Sequence, residues 1–159
     1  CGKTTLLNIL EGLDLKYSGT VEIFGNNLQK INKKKYLKTD ISIIFQESNF
    51  LNNYTVRENI DLIFNAKNQS YDLTLIEVKL KKFKIENILD KKIEMLSGGE
   101  KQILLIIILQ FLTSKIVFCD EPTGSIDEEN EIIAVNLLKE LSRDKLVFVV
   151  SHNVNLFKK

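Results

Sequence analysis

Residues Ile116-Val-Phe-Cys-Asp120-Glu121 place four apolar side chains directly before two acids. A continuous apolar run of this length is typical of a strand that is buried on both faces of a parallel sheet. Ligands bind at the carboxyl ends of such strands, so Asp120 would stand where a Mg²⁺ ion could be coordinated. The adjacent Glu121 could orient or deprotonate a water molecule. A strand that simply ends in a solvated acidic turn explains these residues equally well.

Two further apolar segments and a long helical stretch complete the predicted framework. Ile41 to Phe45 predicts a strand, and Lys145 to Val150 predicts a second buried strand. Helical periodicity dominates from about Thr55 to Leu89, and Thr55 and Glu58 have the spacing of a capping box. Strands on both sides of a helical middle predict an α/β core with a helical insertion.

Other local patterns predict single elements. Thr20 to Phe24 predicts a short strand that ends in a turn at Gly25-Asn-Asn27. The apolar run Ile103 to Leu112 is shorter than the ~20 residues that span a bilayer, so it predicts a buried helix. Ser125 and Glu128 have the spacing of a second capping box at the start of a helix. The apolar stripes predicted for the first and last helices are Leu6, Ile9, Leu10 and Leu13, and Ala134, Leu137, Leu138 and Leu141.

Length and composition restrict the class of protein. The 159 residues correspond to one domain or to part of a larger protein. Lys and Arg number 22 against 21 Asp and Glu, and this balance argues against a dedicated nucleic-acid binder. Cys1 and Cys119 are too few for a disulfide framework and favour a reducing compartment. The sequence does not begin with Met, and we expect it to be a fragment truncated at both ends.

The segment Gly2-Lys3-Thr4-Thr5 precedes the first predicted helix. It matches the last part of a P-loop, in which backbone N–H groups and a helix N-terminus bind phosphates. In that motif the lysine contacts the β- and γ-phosphates and the first hydroxyl ligates Mg²⁺, so these roles would fall to Lys3 and Thr4. The first half of the motif would precede residue 1, and an ordinary helix start explains the segment about as well.

Three more segments carry groups that suit phosphate chemistry. Leu96-Ser-Gly-Gly-Glu100 brings two glycines and a hydroxyl to the start of a helix, where a backbone can approach an anion closely. Gln46 follows a predicted strand, and its amide could contact a metal-bound water. His152, the only histidine, follows the last strand and could hydrogen-bond a γ-phosphate. A flexible helix entry, a loop glutamine and an incidental histidine are the alternatives.

In this combination and order, the segments resemble the nucleotide-binding domain of ATP-binding cassette (ABC) proteins. Leu96 to Glu100 looks like the signature sequence of that family. Asp120-Glu-Pro-Thr123 resembles its Walker B segment, and Gly124-Ser-Ile-Asp127 resembles its D-loop. Gln46 falls on the Q-loop and His152 on the switch histidine. The resemblance runs from residue 1 to about residue 155.

The resemblance implies an α/β fold, a P-loop NTPase core with a mostly parallel sheet and a helical subdomain that bears the signature. The whole chain would form one incomplete nucleotide-binding domain, with the helical subdomain inserted at approximately residues 54–112. It would bind ATP and Mg²⁺, hydrolyse ATP and power an ABC transporter. Its partners would be a second ABC ATPase domain in a head-to-tail dimer and a transmembrane permease, with no nucleic acid. Its place would be the cytoplasmic face of the cell membrane, as a peripheral subunit.

The resemblance also implies a role for each matching residue. Glu121 would act as the catalytic base and His152 would contact the γ-phosphate. Thr4, Gln46 and Asp120 would surround the Mg²⁺ ion. The residues implied in nucleotide binding are Gly2, Lys3, Thr4, Thr5, Gln46, Ser97, Gly98, Gly99, Glu100 and Asp127, and those from Ser97 to Gly99 would contact the ATP of the other copy. Asn53, Tyr54 and the helix after Thr55 would lie near the permease.

Finer features resemble one subgroup and depart from the family in two places. Leu7 to Asp14, Ile43 to Gln46 and Thr55 to Asn59 look like the ATPases that work with lipoprotein-release, macrolide-export and bacteriocin-export permeases. Glu100 stands where the family more often has glutamine. Ile103 replaces an arginine of the family, in a helix of bulky residues.

Two alternatives from other classes remain. One is a soluble ABC ATPase that acts on DNA or ribosomes, which the near-neutral charge disfavours. The stretch between Gln46 and Leu96 is also too short for a long coiled-coil arm. The other is a degenerate, non-hydrolysing ABC subunit, which the presence of Asp120, Glu121 and His152 disfavours.

Overall fold

The computed structural model describes residues 2–45, 49–124, 126–153 and 157. Its main sheet has three parallel strands in the order β3 (Ile41–Ile44), β4 (Ile116–Asp120) and β5 (Leu146–Val150). A hairpin of β1 (Glu22–Ile23) and β2 (Asn26–Asn27) precedes them. The parallel α/β architecture predicted from the sequence is therefore confirmed.

Helices connect the strands and cover the sheet. They are α1 (Lys3–Leu10), α2 (Lys33–Lys35), α3 (Val56–Lys67), α4 (Leu73–Lys82), α5 (Gly98–Phe111) and α6 (Glu128–Leu141). A π-helical turn at Tyr36–Asp40 and 3₁₀ turns at Glu86–Ile88 and Ile93–Met95 complete them. The predicted capping box of α3 is present, because Thr55 and Glu58 each accept the other's backbone N–H. All of α3 and α4 falls between β3 and β4, as the helical pattern of the sequence predicts.

The central strand β4 separates two hydrophobic clusters, because successive side chains of a strand point to opposite faces. Ile116 and Phe118 pack with Leu7 of α1 on one face. Val117 and Cys119 pack with α5 and α6 on the other. All four apolar residues of β4 are buried, so its prediction as a strand buried on both faces is confirmed.

Helix α5 is surrounded by protein along most of its length. Every residue from Ile103 to Leu109 is buried, and the helix packs against α4 and α6. The bulky residues that distinguish this helix from the family pattern therefore have a packing role. The helices of the described ranges include none that is long and apolar enough to cross a bilayer.

Three local predictions are wrong. In the predicted stripe of α1, Ile9 and Leu10 pack against the core, but Leu6 is 47% and Leu13 45% exposed, and the fully buried residue of the helix is Leu7. The predicted turn residues Asn26 and Asn27 instead pair back as β2, because Phe24 and Gly25 have the positive φ angles of a tight hairpin turn. Strand β5 is only partly buried, and Leu146 is 62% exposed, because β5 is the outer strand of the described sheet.

Helix α6 also begins later than the sequence pattern indicates. Its N-cap is Asp127, whose carboxylate accepts the backbone N–H of Asn130 at 3.0 Å. Aspartate caps a helix as well as serine does, so Asp127 replaces the predicted capping box of Ser125 and Glu128. Ser125 itself lies outside the described residues. The predicted stripe of α6 is buried in full.

Two lysines lie at the amino end of the sheet, opposite the end that carries Asp120. The amine of Lys67 donates to the carbonyl oxygens of Leu37 at 2.8 Å and Ile41 at 2.6 Å. The amine of Lys145 donates to the carbonyl of Leu112, the C-cap of α5. Burial lowers the pKa of both amines, and for Lys67 the nearby positive charge of Lys145 lowers the pKa further.

Candidate functional site

Glu121 is the residue immediately after β4, and its backbone fixes its side chain at the carboxyl end of the sheet. Its φ angle of 48° lies in the left-handed region, which non-glycine residues rarely adopt. Its N–H donates to the carbonyl of Val150 at 2.8 Å, so the strand pairing continues through this residue. Its carbonyl accepts the N–H of Gly124 at 3.2 Å, which closes a turn over Pro122 and Thr123. The strained backbone is therefore held from both sides.

The carboxylate of Glu121 is mostly enclosed but is not fully paired. Its side chain is 13% exposed. One oxygen, Oε2, accepts the backbone N–H of His152 at 3.2 Å. The other oxygen, Oε1, is buried and accepts no hydrogen bond from the residues that the structure describes. A buried oxygen without a partner is costly, and it is suited to accept a proton from a bound molecule.

His152 connects two predicted site residues. Its ring Nε2 lies 3.6 Å from Oε1 of Glu121, and its ring Nδ1 lies 3.4 Å from the amine of Lys3. An ammonium group can only donate, so Nδ1 is the acceptor in this contact. Lys3, His152 and Glu121 therefore form one continuous polar row across the ends of α1, β5 and β4.

The N-cap of α1 brings no capping side chain. Gly2 is its N-cap, with a φ of 80°, and makes no side-chain cap hydrogen bond. By contrast, the N-cap side chains of α3, α4, α5 and α6 all accept a backbone N–H. Thr4 and Thr5 are exposed in the first turn of α1, and the helix packs against β4. Free N–H groups at a helix start attract anions such as phosphate.

An unpredicted acid lies near Asp120, the last residue of β4. Glu11 follows α1 directly and is only 3% exposed. Burial raises the pKa of its carboxyl group, and the negative charge of Asp120 raises that pKa further. Burial, together with the charge of Glu11, raises the pKa of the Cys119 thiol. A single glutamate after an amphipathic helix looks like a surface acid, so the sequence carried no signal for this burial.

The segment Leu96 to Glu100 forms the start of α5. Ser97 is the N-cap, and its hydroxyl accepts the N–H of Glu100 at 3.2 Å. Glu100 returns the contact, because its Oε2 accepts the N–H of Ser97 at 2.7 Å. This capping box was missed in the sequence, although the Ser-x-x-Glu signal is present. It explains how a glutamate is accommodated at this position.

Gly99 and Asp127 are joined through one residue of α6. A Cβ atom on Gly99 would lie 2.3 Å from Nδ2 of Asn130, so Asn130 fills the space beside this glycine. Nδ2 of Asn130 donates to Oδ2 of Asp127 at 2.7 Å. The hydrogen bonds from the backbone and the side chain of Asn130 lower the pKa of the Asp127 carboxyl. Asn130 was not identified from the sequence, because no local pattern shows a contact between two helices.

The predicted site residues thus form two groups. One group contains Lys3, Glu121 and His152, with Thr4, Thr5 and Asp120 on adjoining elements. The other contains the start of α5 and Asp127. Within the described parts of the chain, no hydrogen bond joins the two groups. A cavity of about 400 Å³ lies at Glu121 and His152, and Gly124, Ile126 and Glu131 also line it. Gln46 lies outside the described residues.

The comparison with protein families decides what this arrangement is. The family model described as "ABC transporter" matches residues 1–124. This chain belongs to the ABC transporter family. The fold and the ATPase activity that the sequence resemblance implied are those of this family, so the chain is an ABC ATPase subunit.

Related proteins support the same assignment of this ABC ATPase. The lipoprotein-releasing system ATP-binding protein LolD of Wigglesworthia glossinidia brevipalpis is 34% identical over 171 residues, which cover 99% of this chain and 72% of that protein. The ABC transporter ATP-binding protein YxdL of Bacillus subtilis is 32% identical, over 96% of this chain and 62% of that protein.

Solved structures of ABC cassettes share its fold. The dimeric structure of MJ0796, a bacterial ABC transporter cassette, has a TM-score of 0.81 at 28% identity and covers 99% of this chain and 72% of its own length. A post-hydrolysis dimer of the same cassette, bound to ADP and Pi, has a TM-score of 0.80 at 28% identity, over 98% of this chain and 72% of that one.

Proposed function

We propose that this ABC ATPase hydrolyses MgATP between two copies of the cassette and thereby powers an export or lipoprotein-release permease. The observation that carries the proposal is the row Lys3, His152 and Glu121, which unites a phosphate-binding cation, a hydrogen-bonding ring and a base. The lipoprotein-release subgroup is supported by LolD, a relative with 34% identity.

The first turn of α1 binds the phosphates in this proposal. The N–H groups at the start of this helix and the amine of Lys3, its first residue, supply positive charge. The lysine amine moves from the His152 ring to the β- and γ-phosphates, while the ring, which is 83% exposed, stays within reach of the γ-phosphate. Phosphoryl transfer depends mainly on such positioning and charge neutralisation.

A magnesium ion would be held by oxygen donors at this edge of the sheet. Thr4 offers an exposed hydroxyl and Asp120 a carboxylate at the end of β4, and Mg²⁺ prefers hard oxygen ligands. Gln46 would be the third ligand that the family resemblance implies. The ion supplies neutralisation of phosphate charge.

Glu121 is the general base. A water molecule bound beside Oε1 loses a proton to this oxygen as its own oxygen forms a bond to the γ-phosphorus. The bond from phosphorus to the bridging oxygen breaks, and ADP leaves with that oxygen. Among the described residues Oε1 accepts no hydrogen bond, so we assign the proton to this oxygen, whereas the contact with the N–H of His152 orients the carboxylate through Oε2.

The dimer follows from the separation of the two groups of site residues. Ser97, Gly98 and Gly99 make no hydrogen bond to Lys3, Glu121 or His152 among the described contacts, so one copy presents only half of a site. A head-to-tail pair would bring the start of α5 of one copy to the ATP of the other. The dimeric cassettes with TM-scores of 0.80 and 0.81 support this arrangement.

An apolar surface next to α3 is suited to the permease. Leu51, Tyr54 and Met95 are exposed there, and Met95 is 69% exposed. Backbone hydrogen bonds from Ile93 to Tyr54 and from Glu94 to Asn52 bring the two segments together. Clustered exposed apolar side chains are typical of a protein contact. The permease contact would attach the ATPase to the cytoplasmic face of the membrane.

The test is the rate of ATP hydrolysis by purified Glu121→Gln protein. General-base catalysis contributes about 10²–10⁴-fold, so we expect a loss of kcat in that range while ATP remains bound. Glu129→Gln is the matched control, because Glu129 is exposed in the first turn of α6 and should leave the rate unchanged. Near-normal hydrolysis by Glu121→Gln would remove the base assignment and with it the proposed mechanism.

A further inference from the structure

Asn130 occupies a position between two segments that the proposed function assigns to the ATP of the partner copy. A Cβ on Gly99 would lie 2.3, 2.5 and 2.8 Å from Nδ2, Cγ and Cβ of Asn130, well inside van der Waals contact. Gly99 is buried, so the asparagine side chain and the glycine backbone touch directly. The helices that carry them, α5 and α6, pack along each other.

The same side chain holds Asp127. Its Nδ2 donates to Oδ2 of Asp127 at 2.7 Å, and the backbone N–H of Asn130 donates to Oδ1 at 3.0 Å. The backbone bond alone is enough to cap α6, and it persists whatever side chain stands at position 130. The amide therefore adds a second restraint to Asp127 that the helix itself does not need.

We propose that Asn130 is a positioning residue that fixes the start of α5 and Asp127 relative to each other, so that both meet the partner copy as one rigid surface. The proposal rests on the proposed function. It assigns Asn130 no contact with ATP and no part in proton transfer. Its side chain acts through Gly99, by contact, and through Asp127, by a hydrogen bond to a charged oxygen.

Loss of this restraint should weaken the dimer and leave the chemical step unchanged. If the two segments move independently, each must be ordered separately when the dimer closes, and this ordering reduces the affinity. Loss of a hydrogen bond to a charged group corresponds to an affinity change on the order of tenfold. The row Lys3, His152 and Glu121 does not involve Asn130, so the rate at saturating ATP should be preserved.

The first experiment compares Asn130→Asp with wild type as purified full-length protein. Aspartate keeps the shape of the side chain, removes the Nδ2 donor and places a negative charge against Asp127. We expect the KM for ATP, and the protein concentration that gives half-maximal activity, to rise about tenfold with kcat within twofold. Asn136→Ala, an exposed asparagine on the same helix, is the matched control and should change neither.

The second experiment tests the contact with Gly99 by complementation. Gly99→Ala should strongly raise the protein concentration that gives half-maximal activity, because its methyl group would overlap Asn130. Combining it with Asn130→Gly removes all three overlapping atoms and should restore part of the loss. If the double variant needs the same protein concentration for half-maximal activity as Gly99→Ala, the proposed contact is overturned.

The outcomes separate this proposal from the proposed function. An Asn130→Asp protein with wild-type KM and concentration dependence overturns the positioning role. A lower kcat and melting temperature with an unchanged KM does so too, because it indicates a structural role only. If wild-type protein shows no hydrolysis that depends on protein concentration, the proposed dimeric site fails first.

Discussion

Glu121 contacts His152 at both of its carboxylate oxygens, although 30 intervening residues separate them in the chain. The backbone N–H of His152 lies 3.2 Å from Oε2, and its ring Nε2 lies 3.6 Å from Oε1. The register of the sheet accounts for this pairing. Asp120 lies opposite Val150 in the parallel ladder, so the residues that follow both strands emerge side by side. The base and the imidazole are thus positioned by the ends of the two strands, one residue after β4 and two residues after β5.

Replacing His152 with alanine should slow hydrolysis with little change in ATP affinity. The backbone N–H would still hold Oε2, but the ring beside Oε1 would be lost. We expect kcat to fall about 10²-fold, the lower end of the range for positioned acid and base groups. Steady-state kinetics give the answer, with Asn136→Ala, an exposed asparagine of α6, as control. A kcat within twofold of wild type would contradict a role for the ring.

Ser97→Arg should block the dimer and leave ATP binding by the single chain intact. Ser97 lies at the start of α5 and makes no hydrogen bond to Lys3, His152 or Glu121 among the described contacts. An arginine would add bulk to the surface offered to the partner and would also remove the capping hydroxyl of α5. Binding of a fluorescent ATP analogue should be unchanged, while hydrolysis falls to background. The control is Ser97→Thr, which keeps the capping hydroxyl. Loss of ATP binding by the isolated Ser97→Arg chain would show that the segment has a local structural role.

Glu11→Gln should raise the melting temperature at neutral pH. The folded-state pKa of Glu11 is raised above 4.5 by burial and by Asp120, so the charged form is less stable in the folded protein. Stability from this carboxyl is present below pH 4.5 and is lost as the pH rises through the folded-state pKa. The advantage of glutamine should therefore be largest above that pKa and shrink towards pH 4.5. Thermal melts over this pH range test the prediction, with the exposed Glu22→Gln as control. A difference in melting temperature between Glu11→Gln and wild type that grows on acidification would contradict the assignment.

Lys67→Met should destabilise the fold without changing the site. The amine donates to two carbonyls at the amino end of the sheet, and leaving a buried acceptor unpaired costs about 1–3 kcal/mol. The folded-state pKa of Lys67 is lowered, so the unfolded chain binds more protons and wild type gains stability as the pH rises towards 10.5. Urea unfolding at several pH values should show a difference that grows with pH. Exposed Lys81→Met should show none, and a pH-independent difference would contradict the linkage.

Patterns within one element were predicted well from the sequence. The apolar run before Asp120 identified β4, and the Thr55 capping box identified the start of α3, because both signals depend only on neighbouring residues. The fully buried residue of α1 was misassigned, because its apolar residues Leu6 and Leu7 are adjacent and only packing decides which one is buried. The cap of α6 was misplaced, because Asp127 competes with a serine two positions earlier.

Contacts between elements could not be predicted in the same way. The burial of Glu11 depends on its position next to β4, which lies more than 100 residues later in the chain. The contact of Gly99 with Asn130 depends on how closely α5 and α6 approach. Family resemblance supplied the roles of Lys3, Glu121 and His152. The sheet register supplies the physical reason that Glu121 and His152 meet, whereas α1 brings Lys3 to them.

Because side chains alternate along a strand, the pairing of β4 with β5 depends on the number of residues in each strand. Exchanging one apolar residue of β5 for another of similar size changes only local packing. Deleting one would turn the remaining side chains to the opposite face and present Asn153 to Glu121 in place of His152. Individual residues can therefore change during evolution in the segments from Ile116 to Glu121 and from Leu146 to His152. The length of each segment must be kept, because it decides whether His152 lies beside Glu121.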